Sequence, residues 1–88
     1  MKYTRIIISG KVQGIGFREF IRKKSDGVVG YARNLKGGDV EIIAAGTPEA
    51  IANLVKECRK GPLLAKVSDV KVEEIELNDE FEYFFIRP

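Results

Sequence analysis

Three glycines fall within seven residues near the start of the chain, in the segment Gly-Lys-Val-Gln-Gly-Ile-Gly at 10–16. Glycine populates backbone conformations that other residues avoid, so this spacing predicts a loop with unusual backbone angles. We call residues 10–16 the glycine loop. An Ile-rich run at 3–9 precedes the loop and predicts a strand. After the loop, the apolar residues Phe17, Phe20 and Ile21 recur at helical spacing and predict a short amphipathic helix.

The rest of the chain continues with alternating signals for strands and helices. Asp26-Gly27 is expected to end the first helix, because glycine is common just past a helix end. A second helix is predicted to begin with Thr47 as N-cap and Pro48 at its first position, and to reach about Lys60. Further strands are predicted at 28–33, 40–45, 67–75 and 81–86. A Gly-Gly pair between the second and third strands predicts a tight hairpin.

This order of elements predicts an α+β fold of the ferredoxin-like type. Strand, helix, strand, strand, helix and strand make up the βαββαβ motif, and a final strand is added at the C-terminus. Two amphipathic helices can bury their apolar sides on one face of a mostly antiparallel sheet. With 88 residues, the chain is expected to form one domain over residues 1–88.

The composition excludes several classes of function. The chain is 44% hydrophobic and 32% charged, which is typical of a globular protein and not of a disordered one. It has no histidine, which removes histidine bases, phosphohistidine chemistry and most zinc sites, and we expect no metal and no cofactor. The net charge of +2 does not call for a nucleic acid partner. A single cysteine fits a reducing compartment, and no membrane segment is visible, so we expect a cytoplasmic protein.

The glycine loop and the helix after it are a candidate anion site. A strand, a glycine-rich turn and a helix start together present unpaired N–H donors, and Arg18 adds a forked guanidinium to the same place. Neither standard nucleotide fingerprint is present, so a lone phosphoryl group is the better candidate ligand. A plain tight turn beside a solvated arginine is the alternative. Arg33-Asn34 is a second candidate, for which ordinary turn chemistry is the alternative.

Other reactive or charged groups have simpler explanations. Cys58 lies on the apolar stripe of the second helix and is expected in the core, without the following arginine that a cysteine phosphatase needs. The basic cluster at 22–24 is expected to be a solvated helix face, and the acidic residues at 73–76 a solvated strand edge.

Four segments resemble the acylphosphatase family, in order and over nearly the whole chain. Residues 10–18, Gly-Lys-Val-Gln-Gly-Ile-Gly-Phe-Arg, are similar to the signature G-x-V-Q-G-V-x-F-R. The segment 30–34, with the glycine hairpin and Val-Glu that follow it, resembles the second signature, G-[YW]-V-x-N. Residues 61–67 resemble G-P-x-x-A-x-V, and residues 81–86 resemble the closing F-x-x-F-x-I.

The resemblance implies a specific chemistry. Members of this family cleave the carboxyl–phosphate bond of small acyl phosphates without metal or cofactor. Its catalytic pair corresponds to Arg18 and Asn34. Its phosphate-binding loop corresponds to Lys11, Val12, Gln13, Gly14, Ile15 and Gly16. We therefore expect a small acyl phosphate as substrate, inorganic phosphate or sulfate as a further site ligand, no nucleic acid or membrane partner, and a monomer.

One departure from the family pattern bears on stability. Between Arg18 and Arg33 the chain is about two residues shorter than the pattern, at the end of the first helix. Ala32 also stands where a larger residue is usual. Since missing buried groups weaken a core, the expectation is a lower stability, which a melting temperature well above those of ordinary mesophile domains would contradict.

Two other functions compete with hydrolysis. A domain of the same fold could hold phosphate or an acyl phosphate without turning it over. The shorter segment at the end of the first helix is the reason to consider this hypothesis. A ferredoxin-like nucleic-acid binder would use exposed aromatics on an open sheet face, for which Tyr83 and Phe85 are the only candidates. Turnover of an acyl phosphate would distinguish an enzyme from such a binding module. Retention on single-stranded nucleic acid at physiological salt would favour the nucleic-acid binder.

Overall fold

A computed structural model describes residues 1–88 and contains five strands and two helices. In chain order the elements are β1 (Lys2–Lys11), α1 (Phe17–Lys23), β2 (Val28–Asn34), β3 (Val40–Gly46), α2 (Pro48–Lys60), β4 (Lys66–Glu76) and β5 (Phe84–Arg87). This confirms the predicted ferredoxin-like order with its added C-terminal strand. No helix is long and apolar enough to span a membrane.

The five strands form one sheet in the order β4-β1-β3-β2-β5. All neighbours are antiparallel except β2 and β5, which run parallel. Both helices cover one face, where the main core lies. Its fully buried side chains include Ile6 and Ile8 of β1, Ile42 of β3, Phe17 of α1 and Leu54 of α2. Because side chains alternate along a strand, these residues of β1 and β3 point to the same face of the sheet. The apolar sides of the two helices pack against them and complete the core.

The face of the sheet opposite the helices has its own aromatic cover. Tyr3, Tyr31 and Ile43 are buried there, beneath Phe81 and Phe85. The Phe81 ring meets both tyrosine rings edge to face, with centroids 5.7 and 5.6 Å away. Aromatic pairs in this geometry stabilise a cluster beyond the area that they bury.

This aromatic cluster explains why one predicted boundary is wrong. The fifth strand was expected to begin at Phe81, but it begins at Phe84. Residues 81–83 form a bend that lays Phe81 over the sheet, and the hydroxyl of Tyr3 donates to the carbonyl of Asp79 at 2.7 Å. Phe81 therefore serves packing across the sheet, whereas Phe84 and Phe85 pair with β2 in the strand.

The first helix also ends earlier than predicted. It stops at Lys23, and Gly27, with φ 75°, lies in the turn that leads to β2. The hydroxyl of Ser25 donates to the carbonyl of Arg22 at 2.6 Å, which takes up an acceptor at the helix end. The second helix begins as predicted, because Thr47 accepts a hydrogen bond from the N–H of Ala50 at 3.1 Å.

Strand direction brings the ends of β1 and β2 to the same edge of the sheet. Both strands are antiparallel to β3, which lies between them, so they run in the same direction. Val40 of β3 pairs with Ile8 on one side and with Asn34 on the other. The glycine loop, which leaves β1, and Asn34, which ends β2, therefore lie near each other.

Candidate active site

Two glycines give the glycine loop its path. Gly14 and Gly16 both have φ 77°, in the left-handed region that other residues rarely adopt. A side chain at either position would meet nothing within 4 Å, so the backbone conformation and not lack of space requires glycine there. Gly10 differs, because a Cβ at that position would lie 2.1 Å from the carbonyl oxygen of Lys66. The pairing of β1 with β4 shifts register between Ser9 and Gly10, at the start of the loop.

The loop leaves a series of backbone N–H groups without protein partners. Outside the helices and strands, no backbone hydrogen bond is donated by residues 12–16. The first bond of α1 runs from the N–H of Phe20 to the carbonyl of Gly16 at 3.0 Å, so the N–H groups of residues 17–19 precede it. Gly16, as N-cap, supplies no side-chain acceptor to these groups. Unpaired N–H groups in consecutive positions form an anion-binding concavity.

Arg18 and Asn34 line one cavity of about 140 Å³ beside this loop. The other lining residues are Val12, Gly14, Gly16, Phe17, Glu19 and Ile86. The structure thus brings together both residues of the expected pair and three residues of the expected loop. Lys11, Gln13 and Ile15 do not line the cavity; the Ile15 side chain packs against the core.

The guanidinium of Arg18 forms no ion pair and no hydrogen bond within the protein. Three other arginines are held by glutamates: Arg5 and Arg33 by Glu41, and Arg22 by Glu19. Arg18 therefore keeps its five N–H donors free beside the cavity, and a planar fork of this kind matches the oxygens of a phosphoryl group.

Glu19 is the one acidic residue that lines the cavity, and Arg22 holds its carboxylate. The Nε of Arg22 donates to Oε2 of Glu19 at 3.0 Å, and a second hydrogen bond joins Nη2 to Oε1. The hydrogen bonds from Arg22 hold the pKa of Glu19 below its ordinary value. The carboxylate is therefore ionised at neutral pH but engaged with a cation.

Asn34 contributes a buried acceptor with no partner. Its Oδ1 is screened from solvent and accepts no hydrogen bond in the protein. Buried polar atoms are nearly always bonded, so an orphan acceptor on a residue that lines a cavity indicates a donor supplied by a ligand or a water. Asn34 is the last residue of β2, and its pairing with Val40 fixes its backbone.

The Gln13 side chain turns away from the cavity toward the loop that joins β2 and β3. Its Nε2 donates to the carbonyl of Leu35 at 2.8 Å and to that of Asp39 at 2.9 Å. This loop spans residues 35–39 and joins the antiparallel strands β2 and β3, so it is the hairpin that the Gly-Gly pair predicted.

Cys58 lies apart from the site, in the core, as its position on the helix predicted. The side chain is fully buried. Burial, together with the neighbouring Glu57, raises the pKa of the thiol to about 12. A thiol in this state is not a nucleophile at neutral pH.

Three lining residues were not predicted: Phe17, Glu19 and Ile86. The sequence pattern assigned Phe17 to the core, where it also packs, and Glu19 follows Arg18 directly in the first helical turn. Ile86 reaches the cavity because β5 pairs parallel with β2, opposite Ala32. A long-range parallel pairing of this kind leaves no local signal. The one sequence signal for Ile86 was its place at the end of the segment 81–86 that resembles the closing family signature.

Comparisons with known proteins identify the class to which this fold and site belong. The acylphosphatase family model matches residues 4–86. An acylphosphatase of Bacillus licheniformis is 44% identical over 98% of both chains, and one of Caldivirga maquilingensis is 42% identical over 96% of this chain and 92% of that one. The crystal structure of acylphosphatase from Bacillus subtilis superposes with a TM-score of 0.92 at 34% identity, covering all of both chains. The chain belongs to the acylphosphatase family.

Proposed function

We propose that this protein hydrolyses small acyl phosphates to a carboxylate and inorganic phosphate, with water as the nucleophile and no metal. Membership of the acylphosphatase family over residues 4–86 supports the activity. The observation that carries the assignment of the site is the meeting of Arg18, the glycine loop and Asn34 at one cavity of about 140 Å³. A cavity of this size suits a phosphoryl group and a water, and leaves the acyl group outside.

In this proposal the loop and Arg18 bind the phosphoryl group. The unpaired N–H groups of residues 12–19 and the free guanidinium of Arg18 surround its oxygens. Donors that are already in place meet the charge of the transition state without reorganising, which is the main protein contribution to phosphoryl transfer. Val12, Gln13, Gly14, Ile15 and Gly16 act here through their backbone, so the side chains of Gln13 and Ile15 need not enter the cavity. Lys11 begins the loop, at the end of β1, where it pairs with Lys66.

Asn34 orients the attacking water. A water in the cavity can hydrogen-bond to the side-chain amide of Asn34 and direct a lone pair at phosphorus. The new bond joins the water oxygen to phosphorus, and the bond between phosphorus and the carboxyl oxygen breaks. The carboxylate leaves as an anion and needs no strong general acid. The water proton passes to a phosphoryl oxygen, which accounts for a site without a histidine base.

The side chains of this protein support a route without metal or cofactor. The chain has no histidine, and no three His, Cys, Asp or Glu residues lie close enough together to hold a metal ion. Glu19, the one carboxylate at the cavity, is engaged by Arg22. The groups that offset the negative charge of the phosphoryl group are then the guanidinium of Arg18 and the backbone N–H groups of the glycine loop.

The same reasoning covers partners and location. Inorganic phosphate, the product, and sulfate should bind at the cavity as competitive ligands. We propose that residues 1–88 work as one domain and as a monomer, since Tyr3, Tyr31 and Ile43 of the open sheet face are already covered by aromatic side chains of the same chain. No nucleic acid or membrane partner is proposed, given a net charge of +2. One unpaired, buried cysteine fits a cytoplasmic location.

Hydrolysis of benzoyl phosphate in the presence of a chelator tests the proposal. We expect rapid, chelator-insensitive turnover by the unaltered chain. Arg18→Gln should lower kcat/KM by about 10²–10³-fold, because it removes charge-bearing donors from the transition state. Asn34→Ala should lower kcat by about 10²-fold, because the water loses its orientation. Arg59→Gln and Asn53→Ala, exposed positions on α2, are the matched controls and should retain full activity.

Each contrary result has a defined meaning. A folded, unaltered chain that binds phosphate but does not turn over benzoyl phosphate would show a binding module rather than an enzyme. Turnover that survives in Arg18→Gln or Asn34→Ala at the level of the controls would place the chemistry elsewhere on the molecule.

A further inference from the structure

Gln13 forms the only side-chain hydrogen bonds between the glycine loop and the loop that follows Asn34. Its Nε2 lies 2.8 Å from the Leu35 oxygen and 2.9 Å from the Asp39 oxygen. Both partners are carbonyl acceptors, so the amide must present its NH₂ group to them and uses both of its hydrogens. The side chain itself does not line the cavity.

The two carbonyls that Gln13 holds stand at the base of the 35–39 loop. The N–H of Leu35 donates to the carbonyl of Asp39 at 2.8 Å, and the N–H of Gly38 donates to the carbonyl of Leu35 at 3.3 Å. Each carbonyl oxygen can accept two hydrogen bonds, so the bonds from Gln13 add to this closure without displacing it. Gln13 therefore holds both ends of the 35–39 loop at once.

The Gln13 hydrogen bonds lie one residue beyond Asn34. Asn34 pairs with Val40 in the last rung of the β2–β3 ladder, and Leu35 and Asp39 are the next residues on either side. Gln13 is also the neighbour of Gly14, whose left-handed backbone shapes the loop around the cavity. The side chain thus spans the two halves of the site, the loop with its N–H groups and the strand end with Asn34.

We propose that Gln13 is a positioning residue that sets the distance between the phosphoryl group held by the glycine loop and the water held by Asn34. This inference rests on the proposed function. Its backbone N–H belongs to the anion-binding loop, while its side chain acts on Asn34 through the carbonyls of Leu35 and Asp39. Small displacements between nucleophile and phosphorus reduce the rate strongly. In the proposed site the loop and Arg18 hold the phosphoryl oxygens, so binding of phosphate should change much less than the rate.

The test is the kinetics of Gln13→Met, which keeps the side-chain length and removes both donors. We expect kcat for benzoyl phosphate to fall about tenfold, while KM and the inhibition constant of inorganic phosphate change less than about threefold. Gln13→Glu, which offers acceptors to two carbonyls, should lower kcat at least as much. Asn53→Met, an equivalent change on the exposed side of α2, is the matched control and should leave kcat unchanged. Circular dichroism at the assay temperature establishes that each variant is folded.

A double-mutant cycle shows whether Gln13 acts through Asn34. In the Asn34→Ala background, Gln13→Met should change kcat by less than about twofold, since the group that it positions is gone. An undiminished effect in that background would overturn the proposal, as would a rise in the phosphate inhibition constant that equals the fall in kcat. An unchanged kcat in folded Gln13→Met would overturn it too. Absence of turnover by the unaltered chain would instead defeat the proposed function, and this inference with it.

Discussion

Asn34 lines the cavity and carries a buried amide oxygen that accepts no hydrogen bond within the protein. No hydrogen bond within the protein is lost when such an acceptor is removed, so it adds little to the stability of the fold. An acceptor of this kind is expected where the partner is a reactant or a water. We therefore expect that Asn34 is needed for activity but does not stabilise the fold.

Asn34→Ala is expected to retain or increase the unfolding free energy, by up to about 1 kcal/mol, because it removes the orphan oxygen. The same variant loses activity. Denaturant unfolding of the unaltered chain and the variant measures the difference. A variant that is less stable by about 2 kcal/mol or more would mean that the amide supports the fold, and that Oδ1 is not held in reserve for a ligand.

Cys58 gives a second prediction at the residue scale. Burial raises the pKa of its thiol to about 12, so almost no thiolate exists at pH 8. We expect iodoacetamide to leave the folded protein unmodified at pH 8 and to modify it readily in denaturant, which mass spectrometry follows. Rapid alkylation of the folded chain would place the thiol at the surface and contradict the packing of α2.

Glu41 ties three strands together at the scale of the elements. Its side chain, 4% exposed, lies on β3 and accepts from Nε of Arg5 on β1 and from Nε of Arg33 on β2, both at 2.7 Å. Burial by itself would raise the pKa of this carboxylate, but the two arginine hydrogen bonds outweigh it and lower the pKa below its ordinary value of 4.5. The ion pairs hold the strands that carry the two halves of the site in register.

The sign of the pH dependence follows from the lowered pKa. A carboxylate whose pKa is depressed in the folded state stabilises the protein above its unfolded pKa, and this stability is lost as the pH falls through the folded pKa. Glu41→Gln should therefore destabilise the protein by about 1–3 kcal/mol at pH 7, less than for a fully buried pair because both arginines are about a third exposed. The difference should shrink below about pH 4.5.

Denaturant unfolding at several pH values measures this dependence. Glu74→Gln, on the exposed edge strand β4, is the control and should show little effect at any pH. A Glu41→Gln deficit that stays constant from pH 7 down to pH 3 would contradict the ion-pair account.

The elements also show how far sequence alone could reach. The periodicity of Phe17, Phe20 and Ile21 predicted the first helix correctly, because an amphipathic stripe is a local property. The end of this helix was predicted at Asp26-Gly27 but lies at Lys23. The hydroxyl of Ser25 donates to the carbonyl of Arg22 there, which caps the helix before Gly27. The start of β5 was misplaced for a different reason, because Phe81 is engaged by Tyr3 and Tyr31 from distant strands.

At the scale of the whole molecule, the candidate site depends on topology as much as on motifs. The signatures predicted Arg18 and Asn34, and the structure brings both to one cavity because β1 and β2 end at the same edge of the sheet. Local sequence patterns could not predict the direction of the Gln13 side chain or the position of Ile86 beside the cavity. Both depend on the relative placement of segments far apart in sequence.

The central claim is that water attacks phosphorus in this cavity, and hydrolysis in ¹⁸O-labelled water tests it most directly. Benzoyl phosphate would be hydrolysed to completion by the unaltered protein, and both products analysed by mass spectrometry. The account predicts that one ¹⁸O atom enters inorganic phosphate and none enters benzoate, because the bond between phosphorus and the carboxyl oxygen breaks. Label in benzoate would mean that water attacks the carbonyl carbon, and would contradict the roles given to Arg18, Asn34 and the glycine loop.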